Sequence, residues 1–82
     1  STQYKHPEKF IEQLTGIFNT ALFFGFDTII LDDRGVEDNW SPVVHTAILM
    51  GQVINQFKGK FKEIVVAIQE PHLFNTFRKY IN

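Results

Sequence analysis

Two short apolar runs constrain this chain more than any other feature. Phe26 to Leu31 and Glu63 to Ile68 are rich in branched and aromatic side chains, and neither alternates apolar with polar residues once Asp27 is passed. Runs of that kind read as strands covered on both faces. Two such strands lying parallel cannot be joined by a tight turn. They need a crossover, and within one sheet that crossover is right-handed.

The intervening segment supplies it. Ser41-Pro42 reads as an N-cap and first-turn pair, and Val43, Val44, Ala47, Ile48, Met50, Ile54 and Phe57 follow at helical spacing to about Lys58, with Gly59 as the stop. A helix also precedes the first strand. Pro7-Glu8 opens it, Phe10, Ile11, Leu14, Ile17, Phe18, Ala21 and Leu22 form its stripe, and Gly25 ends it. Glu12, Gly16 and Asn19 lie opposite that stripe, and Phe23 falls off it. Pro71 begins a last helix with Leu73, Phe74, Phe77, Tyr80 and Ile81 on one face. The predicted class is therefore α/β in the order α-β-α-β-α, with parallel strands, a crossover helix and helices available for both faces.

Eighty-two residues make one small domain at most, residues 1–82, and a chain of this size buries only about 60 to 65% of its unfolded surface. The stability margin is thin. With 44% hydrophobic residues the chain is too apolar for disorder, and a formal net charge of -1 gives no basic field for nucleic acid. There is no cysteine, so neither a disulfide nor a thiolate metal site can form, and a reducing interior compartment is allowed. The longest strongly apolar stretch, Thr20 to Phe26, is far short of a membrane span. The expectation is a soluble, intracellular protein with no membrane and no nucleic-acid partner, and no cofactor is expected.

Residues 32–41 lie where ligands gather in an open α/β sheet, outside the carboxyl end of a strand and before a helix N-terminus. Asp32, Asp33, Glu37 and Asp38 stand there against Arg34 alone, a segment charge of -3. Clustered carboxylates suit a hard cation such as Mg²⁺ or Ca²⁺, yet the spacing lacks the alternating pattern of a calcium loop, and a solvated, self-capping turn fits the residue types better. Arg34 is read as pairing with its acidic neighbours rather than clamping a phosphate. Trp40 could stack on a base but fits a packing role beside a helix start. His45 falls opposite its helix's apolar stripe and is expected to be exposed. His6 and His72 lack partners for a zinc set. A triad of Ser41, His45 and Asp38 can be drawn, but Ser41 reads as a cap and no strained nucleophile turn surrounds it.

The stretches "FGFDTIILDDRGVEDNWSP" and "FKGKFKEIVVAI" resemble the C-terminal half of macro domains, in particular the microbial-type poly(ADP-ribose) glycohydrolases, over about Leu14 to Ile68. In that family the strand runs into a Gly-Cys-Gly-like loop that binds the ADP-ribose diphosphate, followed by an aromatic and a Pro-started helix. Carried over by position, Gly35 matches the first glycine, Val36 the cysteine and Glu37 the second glycine, while Asn39 and Trp40 stand near the aromatic and Ser41-Pro42 opens the helix. The resemblance thus implies a degenerate diphosphate loop of Asp33, Arg34, Gly35, Val36, Glu37, Asn39, Trp40 and Ser41. Glu37 in place of a glycine hinders close backbone approach to a pyrophosphate, and the surrounding acids repel it. The family's upstream half, with its catalytic glutamates, has no counterpart in these residues.

The expected function is that of a truncated or split macro-domain-like element, the C-terminal part of a larger domain. It would be structural or interacting rather than catalytic, with weak or lost ADP-ribose binding. A hydrolase subunit completed by a catalytic half elsewhere, and an unrelated α/β interaction module, are the competing readings. Two strands leave two unpaired edges, so an obligate protein partner or a second copy of the chain is expected to complete the sheet, with Phe23 as a contact.

Overall fold

The computed structural model describes residues 3–33 and 42–81. Helix α1 (Pro7–Phe23), strand β1 (Thr28–Asp32), helix α2 (Val43–Phe57), strand β2 (Glu63–Ala67) and helix α3 (Pro71–Tyr80) follow one another, an α/β chain in the expected order. The strands pair in parallel, Ile29 beside Ile64 and Leu31 beside Val66, and form a two-stranded sheet among the described residues.

The punctuation residues act as their chemistry requires. At the end of α1 the N–H of Phe26 donates to the Ala21 carbonyl and that of Gly25 to Leu22, a paired closure that needs a left-handed residue between helix and exit. Gly25 supplies it at φ 79°. This closure also corrects the first strand's start: with its N–H held by the helix end, Phe26 stays outside β1 and is exposed. Helix α2 begins one residue later than its sequence suggests, with Pro42 in the cap position.

One core holds the elements together. Phe18 of α1 is fully buried, stacked on Phe57 at 4.8 Å and meeting Phe61 edge-on at 5.5 Å. Leu14, Ile29, Ala47, Met50, Val53, Ile54, Leu73 and Phe77 complete the cluster. Helix α2 lies between α1 and α3 and buries far more of its surface than one stripe. Thr46, Leu49, Gly51 and Val53 are buried beside the expected Ala47, Met50, Ile54 and Phe57, whereas Val44 is exposed. Gly51 marks the tightest approach, since a Cβ there would sit 2.8 Å from the carbonyl oxygen of Tyr80 on α3. Ile17, placed on the α1 stripe by its spacing, is instead exposed, and Phe23 is 83% exposed.

The sheet departs from expectation in its cover. Every strand residue in or against the core lies on one face: Ile29, Leu31, Ile64 and Val66. On the other face Thr28, Ile30, Glu63 and Ala67 are exposed and Val65 and Asp32 are half-buried. The helices do not divide between the faces, because both α1 and α3 seal against the broad apolar surface of α2 and all three join a single cluster.

Candidate functional site

The carboxyl end of the sheet is the site to which the sequence points. Of its candidate residues, Arg34, Gly35, Val36, Glu37, Asp38, Asn39, Trp40 and Ser41 lie outside the described residues. Asp32, Asp33 and Pro42 frame them.

Asp33 follows the last residue of β1 and is buried, a position that a carboxylate tolerates only when hydrogen-bonded. Its Oδ2 accepts the backbone N–H of Gln69 at 3.1 Å and of Glu70 at 3.4 Å. Those residues form the exit from β2, so one carboxylate clasps the carboxyl ends of both strands. These are contacts that hold the chain together, of the self-capping kind expected of the acidic segment.

Glu70 extends the lacing. It stands in the cap position of α3, and its Oε2 accepts the N–H of Leu73 at 2.9 Å. The N–H of Leu73, then that of His72, holds its carboxyl below the ordinary carboxylate range. The first turn of α3, whose amides could otherwise face an anion, is closed by the chain's own carboxylate.

At the other end of the loop Pro42 is buried. The hydroxyl of Thr46 donates to its carbonyl at 3.0 Å and lies 2.6 Å from the Tyr4 hydroxyl. The N–H of Tyr4 donates to Nδ1 of His45 at 2.9 Å, and its ring stacks on Phe10 at 5.3 Å. His45 is therefore covered by the N-terminal segment instead of exposed. The two described residues that flank 34–41, Asp33 and Pro42, are thus both held by hydrogen bonds. His6 is exposed beside Glu8, 3.3 Å away, and His72 is exposed. Among the described residues no group of three His, Asp or Glu side chains could hold a metal ion. No described helix is long and apolar enough to cross a membrane.

A second region has no counterpart in the sequence reading. Beside β2, and lined by no residue of β1, two open clefts of about 260 Å³ each adjoin through Val66 and Ile81. One is lined by Ile68, Phe74, Phe77 and Arg78 as well, the other by Ile54, Lys58, Phe61, Lys62, Glu63 and Ile64. The only signal for this trough in the sequence is the Lys58, Lys60, Lys62 run ahead of β2. No family model, curated protein or solved structure matches the chain.

Proposed function

We propose that this chain is a macro-domain-like element that serves as a structural or interaction piece of a larger α/β sheet, without hydrolase activity of its own. The observation that carries the reading is the uncovered sheet face. Ile30 is 67% exposed at the centre of a parallel pair, although parallel sheets occur almost only with both faces covered. Two strands are also below the usual size for independent stability, and among the described residues each outer edge lacks a neighbour strand. The exposed Phe23, Phe24 and Phe26 at the amino end of β1 add apolar surface of the kind that a partner buries.

Weak or absent ADP-ribose affinity, about millimolar or poorer, belongs to the same reading. Asp33 is engaged with the Gln69 and Glu70 amides, and Glu70 occupies the first turn of α3. The remaining charge at that end repels a diphosphate.

Sedimentation of the isolated chain at micromolar concentration, read beside its thermal unfolding, tests the proposal. We expect self-association or a concentration-dependent transition, and no heat of ADP-ribose binding in the micromolar range. A well-folded monomer with a cooperative, concentration-independent transition would overturn the sheet-element reading, and micromolar ADP-ribose binding would overturn the loss of the site.

A further inference from the structure

The trough beside β2 has the features of a strand-receiving surface, and its charge says what kind of strand. Among the described residues β2 pairs on one side alone, so its outer edge offers backbone donors and acceptors to an added strand. An added strand would set alternate side chains over the core face, where Ile64, Val66 and Ile68 are half-buried and the two clefts lie open. Apolar residues at every second position would fill them.

The rim is cationic. Lys58, Lys62 and Arg78 line the clefts against a single carboxylate, Glu63. None of the three forms an ion pair with a carboxylate among the described residues. Lys60 and Lys79 lie in the same two segments, so five of the chain's eight Lys and Arg residues gather here while its net charge is -1. A second copy offering its own β2 edge across a two-fold axis would bring these cations against their equivalents, which opposes self-pairing at this edge. Nucleic acid is disfavoured by the apolar lining and by the acid excess of the rest of the chain.

We infer that the open edge of β2 receives an extended segment of a partner protein whose alternate apolar side chains fill the clefts and whose ends carry acidic side chains, to meet Lys58 and Lys62 at one cleft and Arg78 at the other. This rests on the proposal that a partner completes the sheet, and it identifies the edge and the chemistry of that partner.

The test uses the full chain and two labelled, blocked peptides that share a core of valine alternating with threonine, one flanked at both ends by glutamates and one by lysines, with binding read by fluorescence anisotropy. The glutamate peptide should bind at least roughly tenfold more tightly, and Lys62→Glu with Arg78→Glu should abolish or invert the preference. Both residues are exposed, so the variant should keep its fold, which circular dichroism is used to check. Hydrogen exchange should slow at Ile64 to Ile68 when the glutamate peptide is present. Equal binding of the two peptides, protection confined to β1, or displacement by a short single-stranded oligonucleotide would overturn the inference. A chain that self-associates yet shows no peptide preference removes this inference and leaves the sheet-element proposal standing, so the two failures are distinguishable.

Discussion

The carboxyl end of the sheet and the outer edge of β2 are built on opposite principles. Where open α/β sheets ordinarily present polar groups to a ligand, this chain turns them on itself: Asp33 holds the exit from β2, Glu70 closes α3, and Tyr4, His45 and Thr46 lock the start of α2. Where a parallel sheet is ordinarily sealed, this one has an apolar trough along β2 rimmed by cations without an ion-pair partner among the described residues, and Ile30 is 67% exposed on the outer face. The difference teaches that position in a fold does not fix role. A helix N-terminus whose amide already has an acceptor in the same chain is a joint, and a strand edge with no neighbour among the described residues is where the proposed partner would pair.

The largest effect expected is at the floor of the trough. Phe77 is 2% exposed and belongs to the core, whereas Phe74, one turn earlier, is 45% exposed on the lip. Phe77→Ala should cost about 3–5 kcal/mol, enough to unfold a chain this small, while Phe74→Ala should change stability by less than about 0.5 kcal/mol. Thermal unfolding by circular dichroism separates the two. Comparable losses would mean that the trough is closed and Phe74 part of the core, and the contrast between a sealed end and an open edge would fail.

The next effect falls on the closed end. Asp33→Ala removes the acceptor of two backbone N–H groups, and leaving such groups without a partner costs about 1–3 kcal/mol. Denaturant unfolding gives the loss, and amide exchange at Gln69 and Glu70 locates it, since both should exchange faster than in the parent chain. A variant of unchanged stability with unchanged exchange would mean that Asp33 does not hold the exit from β2.

These contrasts also show what the sequence could carry. Element order was legible because Pro7, Gly25, Pro42, Gly59 and Pro71 mark the boundaries, and each acts through its own backbone restriction. The number of covered faces was not legible. A continuous apolar run says that a strand avoids water, and it cannot say whether this chain or another supplies the cover; Ile30 and Ile29 read alike and end on opposite faces. Leu49 and Val53 escaped the stripe of α2 because a helix packed by neighbours on two sides buries more than one face. Asp33 was noticed for its charge and missed for its role. Its partners Gln69 and Glu70 lie 36 and 37 residues away, a distance over which local spacing carries no information. Glu70 before Pro71 had a local signal, a cap-position acceptor ahead of a first-turn proline, and so the closure of α3 was readable in principle.

That closure leads to the smallest and most specific expectation, a pH dependence. The Leu73 and His72 amides favour the ionised form of Glu70 in the folded chain, so its folded pKa lies below its unfolded one. Between those two values the unfolded chain binds more protons, and stability there rises with pH. The contribution is fully present above the unfolded value and is lost as the pH falls through the lowered, folded value. Glu70→Gln keeps a side-chain oxygen that can accept from Leu73 and removes the titrating charge. The variant should therefore be less stable than the parent at neutral pH, and the gap should shrink as the pH falls through the acidic carboxylate range. Other carboxylates titrate in the same range in both proteins, so the informative quantity is the difference between their stability curves, measured by denaturant unfolding at successive pH values. A gap that stays constant with pH would show that Glu70 holds α3 by geometry alone. The carboxyl end would then be closed by shape rather than by charge.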